Sequence, residues 1–154
     1  MKTYVVAFAI ALFTSWILTP YVKNLAFKIG AVDKPDPRKV HKGIMPRLGG
    51  LAIFVGFLVA VLSTVTMSRD LFGILTGAFV ILIVGILDDV YQLPAKVKLL
   101  GQIVAAAVLI FFGIQIEWLN NPFGGYFYLD SLSIPITIFW VLRFTNVVNL
   151  MHAL

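Results

Sequence analysis

The sequence predicts an all-α, polytopic membrane protein. Of its 154 residues, 60% are hydrophobic and only 12% are charged, and the mean hydropathy is +0.99. A soluble domain is about half apolar and about a quarter charged. Long uncharged stretches alternate with short polar ones. Helices rather than strands are expected in these stretches, because a helix satisfies its backbone polar groups within its own segment when it lies in lipid.

Five apolar segments are long enough to cross a bilayer, since about 20 apolar residues in a helix span about 30 Å of hydrocarbon. They are Tyr4–Val22, Leu51–Met67, Leu71–Leu87, Leu99–Ile116 and Ile134–Leu150. We expect a single membrane domain over residues 1–154. The first segment could be a secretory signal, but its length, the basic residues after it and the lack of an Ala-x-Ala-like site favour a retained span.

Basic residues predict the orientation of these spans. The segment 23–47 is rich in Lys and Arg, and Lys96 and Lys98 follow the third span. The opposite side has only Lys2 and Arg69. Because Lys- and Arg-rich short loops stay in the cytoplasm, the N-terminus is predicted outside and the C-terminus inside. The net charge of +5 therefore reflects topology, and no nucleic-acid partner is expected.

Cysteine is absent from the sequence. A disulfide framework and a thiolate metal site are therefore both excluded. Any metal would have to be bound by oxygen or imidazole ligands.

The first cytoplasmic segment combines prolines, basic residues and a glycine pair. Arg38, Lys39 and His41 lie close together, and Arg47 precedes the glycine pair by two residues. One interpretation is attraction to the inner leaflet together with a topological role. The other is a phosphate-binding loop for an anionic substrate. A histidine in such a loop is by default a surface residue.

Asp88 and Asp89 are adjacent carboxylates where the third span ends, and Lys96 and Lys98 follow them. They could simply be solvated residues of a loop at a helix end. Two neighbouring carboxylates beside a bilayer repel each other, however, and a cation is the usual compensator. Mg²⁺ is typically held by one or two carboxylates together with substrate phosphate. The two lysines could hold an anionic group.

The segment between the fourth and fifth spans has turn and strand character. Asn-Pro and Gly-Gly pairs interrupt it, and Tyr126–Leu129 has strand propensity. We expect a short external hairpin here. Trp118, Tyr126 and Tyr128 suit the aromatic belt of a membrane interface.

The last span has a polar stripe near its predicted cytoplasmic end. Arg143, Asn146 and Asn149 follow at intervals of three, so they share one helix face. Polar and ionisable residues within a span usually have a functional or packing role. Arg143 could instead extend its guanidinium to the interface.

Together these clusters resemble the polyprenyl-phosphate N-acetylhexosamine-1-phosphate transferase family (glycosyltransferase family 4), in particular its undecaprenyl-phosphate N-acetylglucosamine-1-phosphate transferases. The matching stretches run from one end of the chain to the other. They are Asp33-Lys34-Pro35, Arg38-Lys39-Val40-His41, Met45-Pro46-Arg47-Leu48-Gly49-Gly50, Gly85-x-x-Asp88-Asp89 and Thr145-Asn146-Val147-Val148-Asn149-Leu150.

The resemblance implies an enzyme of the bacterial plasma membrane with its site on the cytoplasmic face. It would transfer a sugar-1-phosphate from a UDP-N-acetylhexosamine to undecaprenyl phosphate, starting a cell-envelope glycopolymer such as teichoic acid. Asp88 and Asp89 would bind Mg²⁺, with Mn²⁺ as the alternative, and one of them would help to deprotonate the lipid phosphate. Asn146 and Asn149 would lie near the nucleotide sugar. A homodimer is a further expectation.

The sequence also departs from the family pattern. The family motif continues Asn-Leu-Ile-Asp-Gly-Leu-Asp-Gly-Leu, whereas here His152 stands in place of the first Asp, and the second is missing. Arg143 stands where the family usually has glycine. The family has about twice as many spans, so we expect a chain truncated relative to it. An inactive truncated membrane remnant, or an accessory protein, is therefore the alternative function. An aromatic prenyltransferase, which needs Asp-x-x-x-Asp spacing, fits poorly.

Overall fold

The computed structural model describes residues 2–33, 43–122 and 124–153, with side chains described up to residue 147. Arg38, Lys39 and His41 lie outside the described residues, and so does the side chain of Asn149. The five helices are α1 (Lys2–Ile29), α2 (Gly49–Thr64), α3 (Arg69–Tyr91), α4 (Ala95–Phe111) and α5 (Ser133–Ala153). The four short strands are β1 (Val32–Asp33), β2 (Met45–Pro46), β3 (Trp118–Asn120) and β4 (Tyr126–Tyr128). A 3₁₀ turn, Asp130–Leu132, precedes α5.

Each of the five apolar segments overlaps one helix, so the structure agrees with the predicted helical class. Among the described residues, α1 and α3 are long and apolar enough to cross a membrane. The helices α2 and α4 have 16 and 17 residues, or about 25 Å at the usual rise per residue. Five spans, a single membrane domain and the orientation stay predictions.

The helix α1 extends beyond the predicted first span, which ended at Val22. It continues to Ile29 and ends where Gly30 takes a positive φ of 78°. The N–H of Ala31 then donates to the carbonyl of Ala26 at 3.0 Å, the Schellman pattern that glycine permits at a helix end. Apolarity marks the segment suited to lipid, whereas the glycine marks where the helix stops.

The contacts group the chain into two units. The first unit contains Met1–Met67 and Leu82–Pro94, and the second contains Ser68–Ile81 and Ala95–Leu154. The helix α3 therefore contributes its last part to the first unit and its first part to the second. The two units are described separately below.

In the first unit, α1 and α2 pack through small residues. A Cβ added to Gly56 would lie 2.7 Å from the carbonyl oxygen of Ala11 and closer still to the hydroxyl of Ser15. Small residues that let helix backbones approach are typical of helix pairs in membranes. Near the end of α1, a cluster of buried apolar residues forms; its members are Ala26, Ala31 and Leu48, with Val22, Ile86 and Val90 packed against them.

In the second unit, glycines bring the first part of α3 close to the end of α4. A Cβ on Gly73 would lie 2.6 Å from the Cβ of Phe112, and one on Gly77 would lie 3.1 Å from Leu109. Small residues one helical turn apart let two helix backbones approach in this way. The helices α4 and α5 also contact each other.

The described core contains mainly small side chains, while large apolar ones face outward. The buried apolar residues are mostly alanines, and none of the described large side chains is fully buried. Tyr4, Phe8 and Trp16 on α1 are 81%, 69% and 73% exposed. In water such a surface would be unusual, so it fits a helical membrane protein.

Both pairs of strands are antiparallel. The strands β3 and β4 follow α4 and pair Trp118 with Tyr128. Hydroxyl groups of α5 bind the segment just before β3: Ser133 Oγ donates to the carbonyl of Ile116 at 2.7 Å, and Thr137 Oγ1 accepts from its N–H at 2.9 Å. The position of this ribbon outside the membrane stays a prediction.

Candidate functional site

Asp88 and Asp89 lie in the last turn of α3, and the way this helix ends fixes the position of Asp88. Gln92 takes a positive φ of 51°, and its N–H donates to the carbonyl of Asp88 at 2.8 Å. The N–H of Leu93 donates to Asp88 Oδ1 at 3.0 Å. Pro94 then prevents the helix from continuing. One carboxylate oxygen of Asp88 thus binds the backbone of the turn that follows it.

Both carboxylates are half-buried, and their place on the helix is electrostatically unfavourable. The C-terminal end of a helix has a partial negative charge, so cations rather than carboxylates are stabilising there. Two adjacent negative side chains increase this cost. The arrangement favours positive charge close to Asp88 and Asp89.

The residues at this helix end have the donor chemistry of a magnesium site. Within the described part of the chain, no group of three or more His, Cys, Asp or Glu residues could hold a metal ion. A metal at Asp88 and Asp89 would need further ligands, which water and substrate can supply. Mg²⁺ is usually bound in this way, through one or two carboxylates and substrate phosphates.

The two ends of the basic, proline-containing segment, which is predicted to be cytoplasmic, are joined at a neck formed by β1 and β2. Asp33 is opposite Met45 in this ribbon. The Nη2 atom of Arg47 donates to Asp33 Oδ1 at 2.6 Å, and the N–H of Arg47 donates to the carbonyl of Ala31 at 3.0 Å. The side chains of Arg47 and Asp33 are 32% and 18% exposed. Arg47, which the sequence suggested for substrate binding, therefore also closes the neck.

The last turns of α3 lie against this neck. Ile86 and Val90 pack on a cluster that includes Ala31 and Leu48. Ala31 precedes β1, and Leu48 follows β2 by two residues. Successive residues of an α-helix are about 100° apart around its axis. Asp89 is therefore about 60° around the helix from Ile86, whereas Asp88, the preceding residue, is about 160° away. Packing thus brings the carboxylate pair and the neck of the basic segment together within the first unit, with Asp89 on the neck's side.

Lys96 and Lys98 belong to the second unit, in the first turn of α4. Lys96 is exposed and Lys98 is half-buried. The N-terminus of a helix has a partial positive charge that favours anions. Their positions therefore suit contact with an anionic group, as the sequence suggested.

Asn146 on α5 forms a reciprocal pair with Gln102 on α4. Gln102 Nε2 donates to Asn146 Oδ1 at 3.3 Å, and Asn146 Nδ2 donates to Gln102 Oε1 at 3.0 Å. Asn146 Nδ2 also donates to the carbonyl of Leu142 at 2.8 Å. Gln102 is only 6% exposed, whereas Asn146 is exposed. Arg143, three residues earlier, is also exposed.

Asp33 and Gln102 are the site partners that sequence reasoning had not assigned. Asp33 belonged to a quoted motif without a role, and Gln102 lies within the fourth predicted span, Leu99–Ile116. A buried glutamine within an apolar segment is itself a signal, because it needs a hydrogen-bond partner. The sequence does not show which residue that partner is.

Comparison with known proteins identifies one family. The model of glycosyl transferase family 4 matches residues 71–154, which include the end of α3 with Asp88 and Asp89 and the whole of α5. No solved structure is significantly similar to the chain.

Several curated bacterial proteins are also similar. The probable undecaprenyl-phosphate N-acetylglucosaminyl 1-phosphate transferase of Bacillus subtilis is 45% identical over 156 residues, which cover 100% of this chain and 44% of that protein. The decaprenyl-phosphate N-acetylglucosaminephosphotransferase of Mycobacterium tuberculosis is 35% identical over 91% of the chain and 38% of its own length. The undecaprenyl-phosphate alpha-N-acetylglucosaminyl 1-phosphate transferase of Escherichia coli is 29% identical over 95% and 40%. The chain thus spans less than half of the length of these relatives.

Proposed function

Because the chain belongs to glycosyl transferase family 4, we propose that it forms part of a membrane enzyme that transfers N-acetylhexosamine-1-phosphate to undecaprenyl phosphate. The donor is a UDP-sugar, and the product starts a cell-envelope glycopolymer such as teichoic acid. The names of the relatives support the polyprenyl phosphate acceptor and the transferred group. The single structural observation that supports the proposal most strongly is the packing of the Asp88–Asp89 helix end against the neck of the basic segment.

In this proposal, an oxygen of the lipid phosphate attacks the β-phosphorus of the UDP-sugar. A new P–O bond forms, the bond between the two phosphates of the donor breaks, and UMP leaves. One of the two carboxylates, Asp88 or Asp89, takes the proton of the lipid phosphate where that group is protonated. Such a reaction needs little covalent chemistry from the protein, but it needs positioning and compensation of negative charge.

Two sets of residues supply that compensation. Mg²⁺, held by Asp88 and Asp89, would neutralise charge on the phosphates, with Mn²⁺ as an alternative. The basic residues Arg47, Lys96 and Lys98 would bind phosphate oxygens. We place the site at the cytoplasmic face of the plasma membrane, where a soluble nucleotide sugar and a lipid phosphate can meet. A homodimer remains part of the proposal.

The test is a chimera, because the chain covers only 44% of the Bacillus subtilis relative. Residues 1–154 would replace the aligned segment of that relative, and the purified product would receive UDP-N-acetylglucosamine, undecaprenyl phosphate and Mg²⁺. We expect UMP release, a loss of about 100-fold or more in Asp88→Asn or Asp89→Asn, and no release in EDTA. The matched control is Asp70→Asn, an exposed residue in the first turn of α3, which should leave turnover unchanged.

Two outcomes would contradict the proposal. UMP release that persists in both Asp88→Asn and Asp89→Asn would remove these carboxylates from the mechanism. A chimera that inserts and folds but releases no UMP would favour the inactive remnant. In that case His152→Asp and Arg143→Gly, which restore the family pattern, would show whether those two departures cause the loss.

A further inference from the structure

The amide pair between α4 and α5 has a fixed orientation. A backbone carbonyl can only accept hydrogen bonds. The group of Asn146 that faces the carbonyl of Leu142 at 2.8 Å must therefore be its NH₂. This orientation sets the other one: Asn146 directs its remaining N–H to Gln102 Oε1, and its Oδ1 receives the N–H of Gln102. The helix backbone thus determines which atoms of the pair are donors.

The two residues differ in access. Gln102 is 6% exposed, so a substrate in solution cannot reach it without moving the helices. Asn146 is exposed and can meet a ligand. Gln102 can therefore act on a ligand only through Asn146.

A count of hydrogen bonds shows what Asn146 can still offer. Its NH₂ group has two donors, and among the described residues both are used, one by Leu142 and one by Gln102. Its Oδ1 has two acceptor sites, and within the same part of the chain it accepts one bond, from Gln102. Held in this way, Asn146 presents an acceptor to a ligand and no donor.

We propose that Gln102 is a positioning residue that makes Asn146 an acceptor-only contact, specific for a group that donates a hydrogen bond. The inference rests on the proposed function, since it assigns Asn146 to one of the two substrates. A UDP-sugar has donors in its hydroxyls and its imide N–H. A polyprenyl phosphate has at most one donor, the proton that Asp88 or Asp89 takes in the proposed reaction, and its dianion has only acceptors at its headgroup. Asn146 therefore contacts the nucleotide sugar and not the lipid phosphate.

The geometry is tested first on the chain itself in detergent, by NMR of the side-chain amides after ¹⁵N-asparagine labelling. The resonances of Asn146 are identified by their loss in Asn146→Asp. Gln102→Met, which keeps the side-chain length and removes both hydrogen bonds, should shift them. Gln115→Met is the matched control, because Gln115 is exposed after the end of α4, and it should leave them in place. Unchanged resonances of Asn120 and Asn121 would show that the fold is retained.

The functional consequence is tested in the chimera described above. Among the described residues, Gln102→Met leaves Asn146 held by Leu142 alone, so its Oδ1 is less firmly placed for the ligand. We expect the KM for UDP-N-acetylglucosamine to rise by about tenfold, on the scale of one hydrogen bond to the ligand. The KM for undecaprenyl phosphate should change by less than about twofold on the same grounds. Gln115→Met should change neither constant. A variant that merely loses structure would have a smaller active fraction and a lower rate, but it would not raise one KM and leave the other unchanged.

Each result decides the inference. It is supported if the Asn146 resonances shift in Gln102→Met and only the KM for the nucleotide sugar rises. It is overturned if those resonances do not move, if neither KM changes, or if the KM for the lipid rises instead. If the unmutated chimera releases no UMP, the proposed function fails, and the NMR result alone decides whether Gln102 positions Asn146.

Discussion

The two units use different means to hold their helices together. In the first, α1 and α2 meet at Gly56, Ala11 and Ser15, where small size allows the backbones to approach. In the second, polar side chains join separate elements: Gln102 and Asn146 bind each other. Lipid gives helices little hydrophobic reason to associate, so close packing and hydrogen bonds are the two remaining means. The first unit packs through small residues, whereas the second adds hydrogen bonds between elements to its own close packing at Gly73 and Gly77.

The comparison also separates the proposed roles. The first unit brings the carboxylate pair to the neck of the basic segment through apolar packing. The second unit places a polar pair between α4 and α5, where it can orient a substrate contact.

The strongest test of the small-residue contact is Gly56→Ala. The added methyl group would meet the carbonyl oxygen of Ala11 at 2.7 Å, which forces the helices apart. We expect a loss of about 1–3 kcal/mol in the free energy of unfolding, measured by denaturation in detergent micelles.

Gly85→Ala is the matched control for this change. It lies within α3, and nothing is found within 4 Å of its added Cβ. Alanine should stabilise this helix by about 0.5–1 kcal/mol, because glycine is entropically costly in a helix. The two variants should therefore have opposite signs, and a loss of similar size in both would contradict the packing argument.

The contribution of hydrogen bonds between elements of the second unit is tested by Thr137→Val. Thr137 is 4% exposed, and its hydroxyl accepts from the N–H of Ile116 and donates to the carbonyl of Ser133. Valine would leave the N–H of Ile116 without this acceptor. We expect a loss of about 1–2 kcal/mol in the free energy of unfolding.

Thr76→Val makes the same chemical change where the hydroxyl only bonds within its own helix, to the carbonyl of Phe72. That variant should change stability by less than about 0.5 kcal/mol. Equal effects in Thr76→Val and Thr137→Val would mean that hydrogen bonds between elements do not hold the second unit together.

The same contrast explains what could be predicted from the sequence. Properties that depend on the local sequence, such as the position of an apolar segment, could be predicted. Hydropathy located each helix but not the end of α1, which Gly30 determines through its positive φ. The carboxylate pair was found because two adjacent aspartates at a span end are unusual.

The paired partners could not be predicted from the sequence. Arg47 and Asp33 are 14 residues apart, and Gln102 and Asn146 are 44 apart. Periodicity shows which face of a helix a residue occupies, but it does not show which element that face meets. The role of Gln102 as a partner of Asn146 therefore needed the structure.

The smallest expected effect belongs to the ion pair at the neck of the first unit. Arg47 and Asp33 are 2.6 Å apart but 32% and 18% exposed, so water screens part of their attraction. A double-mutant cycle of Arg47→Gln and Asp33→Asn should give a coupling of about 0.5–1 kcal/mol at low salt, which falls as added salt screens it. A cycle of Lys23→Gln, on α1, with Asp33→Asn is the matched control and should be additive. Coupling above about 3 kcal/mol that is insensitive to salt would mean that the pair is desolvated, and the first unit would then depend on a polar contact as the second does.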